Sequence, residues 1–151
     1  MATPHNAVAG SIVTVFSVGR RHITGPHHSG ASAKHMQWAR LQANVDCQLR
    51  RGGWYRVLRM ASVEAVLDVN SGPVPVLIPF LEISNTPPRR WTVVPRPANA
   101  VNMPPTWGSE YAVCPNCRHR QPLAGHAKTL TCERCHGDFA VAWDEHYHPV
   151  F

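Results

Sequence analysis

Four of the five cysteines in this 151-residue chain fall in two Cys-x-x-Cys pairs, Cys114/Cys117 and Cys132/Cys135. Two thiolates three positions apart fit one tight turn, so both sulfurs can point at one ion. Two such turns brought together by a hairpin close a tetrahedron, with zinc–sulfur distances of about 2.3 Å. The pairs are separated by residues 118–131. That is one residue short of the span of about 15–20 usual for such sites, a difference a hairpin loop absorbs. Four thiolates leave no open coordination position, so the expected site is structural: one Zn2+ held by Cys114, Cys117, Cys132 and Cys135. His119, His126, His136, His146 and His148 lie close in sequence, but a complete ligand set needs none of them, and they are expected on the surface. Cys47 stands alone and reads as a small buried hydrophobe.

The surrounding residues resemble the zinc ribbon, a superfamily of small three-stranded metal domains. The resemblance covers residues 111 to about 146. It rests on Cys114-Pro115-Asn116-Cys117, the apolar Leu130 before the second pair, Cys132 to Cys135, Gly137 and the aromatic Phe139. One departure is His136, which separates Cys135 from the glycine. Phe139, Val141 and Trp143 alternate as a strand beside the site should. A redox reading of Cys-x-x-Cys needs a βαβ pattern that is missing here. Rubredoxin-type iron knuckles usually place Gly after each pair, where this chain has Arg118 and His136, so zinc is favoured over iron.

The upstream sequence divides by composition. Residues 1–36 read as a flexible, basic, His-rich arm. Residues 37–95 read as a small β-domain. A short helix or strand lead-in over 37–44 is followed by a turn at Arg51-Gly52-Gly53. Alternation then predicts strands over 54–60, with Trp54, Arg56 and Leu58 on one face and Tyr55, Val57 and Arg59 on the other. Further strands are predicted over 65–69, 74–78 and 91–94, with a turn at Asn70-Ser71-Gly72 in which Gly72 supplies the positive φ. Pro75 and Pro79 mark the third strand as an edge. Short strands at this spacing suggest a small barrel or meander, and their order resembles SH3-like barrels. Residues 96–109 form a Pro-rich linker, and 110–148 the ribbon. The expected fold is therefore mostly β: an SH3-like β-barrel or meander, then a C-terminal three-stranded zinc ribbon.

The net charge of +6 is uneven. Residues 1–40 hold four Arg or Lys and no acid, 41–110 hold seven Arg against five acids, and 111–151 are balanced. A polyanion is thus expected to meet the N-terminal two-thirds. There Arg50, Arg51, Trp54, Arg56, Arg59, Arg89 and Arg90 combine cations with stacking aromatics and are the candidate nucleic-acid contacts. The competing reading makes Trp54, Tyr55 and Trp91 core residues with arginines snorkelling around them. Nucleotide-loop, serine-hydrolase and metalloprotease motifs are missing from the sequence, so a non-enzyme without a small-molecule substrate is expected. No apolar run reaches the roughly 20 residues of a membrane span, and no Lys or Arg precedes the apolar residues 7–18, a poor signal peptide. The expected setting is cytoplasmic. The expected partners are RNA or DNA, or a larger machine such as RNA polymerase or the ribosome. The alternative is a pure protein-interaction module or accessory subunit, with the strand-forming edge at 74–83 adding to a partner sheet.

Overall fold

Two antiparallel hairpin systems account for almost all regular structure in the computed structural model, which describes residues 35–145, 147 and 149. The arm expected over 1–36 lies outside the described residues except for its last two. The first sheet contains β1 (Trp38–Leu41), β2 (Trp54–Met60), β3 (Glu64–Val69), β4 (Gly72–Leu77) and β5 (Leu81–Ser84), in the order β4-β3-β2-β1-β5. A single 3-10 turn, Ile78–Phe80, carries β4 into β5. The second sheet contains β6 (Arg90–Pro95), β7 (Glu110–Val113), β8 (Arg120–Pro122), β9 (Thr129–Thr131) and β10 (Asp138–Val141), in the order β8-β7-β6-β10-β9. The mostly-β architecture expected from the sequence is the one the chain adopts. Within 37–44, Trp38–Leu41 form strand β1 and no helix is present.

Strand β3 is the apolar centre of the first sheet, with Ala65, Val66, Leu67 and Val69 all buried. Its hairpin to β4 turns on Asn70 and Ser71, both at positive φ (52° and 67°). This two-residue turn has the twist that suits a hairpin, and Asp68 Oδ1 accepts the Ser71 N–H at 3.1 Å. The positive φ expected of Gly72 is thus taken by its two predecessors. Strand β2 pairs with β1 through residues 54–56 and with β3 through 57–60, and the register slips between Val57 and Arg59. Leu58 is the extra residue of a β-bulge, which bends the strand and curls the sheet. The strict alternation of faces expected along β2 therefore ends at Leu58.

Strand β4 is an edge, and its prolines protect it. Ile78 donates its N–H to Val63 O at 3.0 Å, across the β3 side. Alternation then turns the nitrogens of 73, 75 and 77 outward. Two of those three are Pro73 and Pro75, which have no N–H to offer an incoming strand. Of the edge expected over 74–83, the β4 part loses two of its three outward donors, while β5 forms the opposite edge of the sheet.

Trp91–Val94, expected as the fourth strand of the first β unit, sits instead at the centre of the second sheet. There β6 pairs antiparallel with β7 and parallel with β10. Both of its faces are covered: Trp91, Thr92, Val93 and Val94 are all buried. A strand enclosed on both faces reads as a continuous apolar run, and such a run does not reveal which sheet encloses it. Gly52, at φ +71°, brings the turn before β2 against β6, where a Cβ would lie 2.4 Å from Val94 Cγ2. Tyr147 Oη donates to Leu41 O at 2.6 Å, tying the C-terminal segment to β1. The buried Arg40 meets Glu82 at 2.5 Å and Glu145 at 3.6 Å, with its guanidinium 4.7 Å from the Trp54 ring centroid.

Candidate metal centre

The two Cys-x-x-Cys pairs form two similar turns at the ends of two hairpins. In the first, between β7 and β8, Cys114 donates its N–H to His119 O at 2.9 Å and Arg118 donates to Cys114 O at 3.1 Å. In the second, between β9 and β10, Cys132 donates to Gly137 O at 2.9 Å and His136 to Cys132 O at 2.9 Å. The residue after each pair takes a left-handed conformation, with φ 60° at Arg118 and 58° at His136. That geometry explains why glycine suits the position. A side chain there costs on the order of 1 kcal/mol. Gly137 serves a different need: a Cβ would lie 2.6 and 2.7 Å from atoms of the Phe139 ring. The ring packs directly on the backbone as it leaves the second turn.

The four sulfurs converge. Cys114 Sγ lies 3.7 Å from Cys135 Sγ, and Cys117 Sγ lies 3.5 Å from Cys132 Sγ. All four lie within 4.8 Å of one another. A regular tetrahedron with arms of about 2.3 Å has edges of about 3.8 Å. A disulfide would need about 2.05 Å. The spacing therefore fits four thiolates around one cation and excludes sulfur–sulfur bonds, and the donor set is the one zinc takes in structural sites.

The environment of each thiol follows from its place in the turn. Burial pushes Cys114 and Cys117 above the usual thiol range, against backbone N–H bonds that favour the thiolate. Cys135 is held down, to about 6, chiefly by a hydrogen bond from the Gly137 backbone. The turns thus aim amide donors at the sulfurs, and a bound cation would complete the deprotonation of the buried pair.

A second layer closes the sheet around the sulfurs. The buried Gln121 on β8 donates from Nε2 to Thr131 O at 3.1 Å and accepts the Glu133 N–H at 3.2 Å. One side chain thereby bridges the two edge strands of the sheet. Trp91 Nε1 donates to Leu130 O at 3.0 Å, and Trp143 Nε1 to Ala127 O at 2.7 Å. None of this second layer was predicted, because a lone Gln carries no sequence signal for bridging.

The remaining sequence candidates are scattered. His119 faces Glu133 at 3.9 Å. His126 is exposed, edge-on to Trp143 with ring centroids 4.0 Å apart, and His136 is exposed. His146 and His148 lie outside the described residues. Cys47 is exposed, contrary to the buried position expected. Tyr55 and Trp91 are core residues at 3% and 0% exposure, and Trp54 lies under the Arg40 guanidinium. These rings do not offer a free stacking platform. Arg90 is committed to Asp144 at 2.7 Å and to Glu145. Arg59 has Glu64 at 4.0 Å, and Arg51 donates to Asn44 Oδ1. Arg50 donates to Arg118 O at 2.5 Å. Arg56 and Arg89 are exposed.

No family model, curated protein or solved structure matches this chain. Among the described residues, no helix is long and apolar enough to cross a membrane.

Proposed function

We propose that the protein is a non-enzymatic, zinc-stabilised adaptor of the zinc-ribbon kind that associates with nucleic acid in the cytoplasm. The convergence of Cys114, Cys117, Cys132 and Cys135 carries the zinc part of this reading. A closed four-thiolate set has no vacant position for substrate, which supports a structural role for the ion. The chain's thirteen Arg against two Lys and its charge of +6 support a phosphate-bearing partner. The test uses full-length protein purified under reducing conditions. Elemental analysis should find one equivalent of zinc, and a mixed-sequence oligonucleotide should bind with an affinity that falls steeply with salt. Metal-free, folded protein would overturn the first half, and no binding at low salt the second.

A second reading makes the chain an accessory subunit of a larger assembly such as RNA polymerase or the ribosome. Leu58, Met60, Val63 and Leu77 are each at least 40% exposed, where β2, β3 and β4 meet at one end of the first sheet. The register sets Met60 on the face of Ala65 and Leu77 on the opposite face, so a partner protein would pack around this end of the sheet. Strand addition at β4 is disfavoured by Pro73 and Pro75, so this reading rests on side-chain packing. Co-purification that survives nuclease and high salt supports it.

A further inference from the structure

The charge balance of the cysteine-bearing segment disguises how its arginines are placed. Arg118 follows the first Cys pair directly, Arg120 opens β8, and Arg134 lies inside the second Cys pair. In sequence they and Lys128 are offset by four acids. In space the three arginines gather on Arg50 and Arg51, which precede β2 of the other sheet. Arg50 donates to Arg118 O at 2.5 Å. Arg118 in turn lays its guanidinium 4.8 Å from the Tyr55 ring centroid. Burial first, and then the charges of Arg120, Arg134 and Arg118, push the Arg50 guanidinium below its usual range. Burial pushes the Tyr111 hydroxyl up, opposed by the charges of Arg120, Arg51 and Arg50. Arg50, Arg51, Arg120 and Tyr111 line one cleft of about 350 Å³.

The acids are elsewhere. Arg40, Arg59 and Arg90 each have a carboxylate within 4.0 Å. Among the described residues, Arg50, Arg51, Arg118, Arg120 and Arg134 form no such pair. Glu133, the neighbour of Arg134, faces His119 instead. Five cations gathered without a counter-charge repel one another. Guanidinium forks suit phosphate oxygens, and a phosphate chain would relieve that repulsion.

We propose that Arg50, Arg51, Arg118, Arg120 and Arg134 form a binding site for the phosphate backbone of a nucleic acid, at the junction of the two sheets beside the metal turns. This rests on the nucleic-acid reading above and relocates its contact surface. Arg51 and Arg50 belong to both sets, whereas Arg56 and Arg59 on β2 and Arg89 just before β6 fall outside the new one. The buried aromatics leave phosphates, not bases, as the groups read. Recognition is therefore indifferent to sequence and to the sugar.

The test compares two full-length, zinc-loaded variants that lose the same charge: R51Q/R120Q/R134Q and R56Q/R59Q/R89Q. The probes are fluorescein-labelled, mixed-sequence single strands of DNA and of RNA, titrated across a salt series. Arg50 and Arg118 are left in place because they hold the sheets together. The first variant should lower the log–log salt slope by about 2 to 3 and lose most of the affinity; the second should change the slope by less than about 1. DNA and RNA should bind within about threefold of each other, since phosphates are the shared group. Equal or larger loss in the second variant would overturn the proposal while leaving nucleic-acid association standing. A wild-type protein that binds neither probe at low salt would remove that association as well. If the first variant fails to fold, the wild-type slope decides: a value shallower than about 2 is too small for the phosphate contacts proposed.

Discussion

The two sheets solve the same folding problem with different materials. The first buries a conventional apolar core, in which Leu41, Leu49, Tyr55, Leu67 and Leu81 interlock under a curled sheet. The second counts two of the metal-binding cysteines, Cys114 and Cys132, among its core, beside Trp91, Val93, Ala112 and Val141. Two of its strands, β8 and β9, are only three residues long. Such short strands bury little apolar area, and small domains of this kind depend on a metal for stability. The difference teaches that the first sheet is stabilised by contacts spread over many residues, whereas the second gathers four sulfurs where one bound cation would concentrate its stabilisation.

Metal removal is the strongest way to break that comparison. Structural zinc contributes about 10 to 16 kcal/mol in isolated zinc-finger peptides, and binding free energy there is folding free energy. Chelation, or C132S at the fully buried ligand, should therefore release the second sheet. Hydrogen exchange should show β6–β10 losing protection while the amides of β2–β4 keep theirs. Tryptophan emission should shift part-way to the red, because Trp91 leaves the core while Trp38 and Trp54 stay in the first sheet. Simultaneous loss of protection in both sheets would show that they are one cooperative unit and that the distinction drawn above is only compositional.

The convergence of the four cysteines was legible in the sequence because their spacing is a constraint of covalent reach: two sulfurs three residues apart must share a turn. Strands β2, β3 and β4 were legible because alternation and turn residues are local signals. The placement of β6 was not, since Trp91–Val94 reads the same whichever sheet encloses it. The bulge at Leu58 was also silent, and with it the point where the faces of β2 change. Arg118 and His136 stand where glycine would have announced a left-handed turn. The gathering of Arg118, Arg120 and Arg134 on Arg50 was hidden for a similar reason: charge summed along a segment says nothing about contacts made across sheets.

Gly52 offers a finer test of how firmly the two regions are joined. Its φ of +71° and the 2.4 Å approach of Val94 Cγ2 to an added Cβ are separate objections to a side chain. Gly125 provides the comparison, with φ +58° and nothing within 4 Å of an added Cβ. G125A should cost about 1 kcal/mol, from backbone strain alone. G52A should cost about 2 to 4 kcal/mol, because overpacking against β6 is added to the strain. Urea unfolding of zinc-loaded protein measures both. Equal effects from the two substitutions would mean that the Gly52 contact yields easily and that the sheets are loosely joined.

The smallest effect distinguishes the two metal turns from each other. Their backbones are nearly superposable in hydrogen bonding, and both end on a side chain at positive φ. Their side chains have different surroundings. His136 is exposed, so H136G removes strain and little else. The gain is opposed by the greater freedom of glycine in the unfolded chain, and the net change should stay within about 0.5 kcal/mol. Arg118 is half-buried, stacked on Tyr55 and bonded to Trp54 O at 3.5 Å. R118G gains the same relief but loses a cation–π contact of about 0.5 to 2 kcal/mol and part of the join to the first sheet. It should destabilise by about 1 kcal/mol, read as a lower urea midpoint at unchanged zinc content. If both glycine variants behaved alike, the Arg118 contact would contribute nothing measurable. The first turn would then belong wholly to the metal, as the second does.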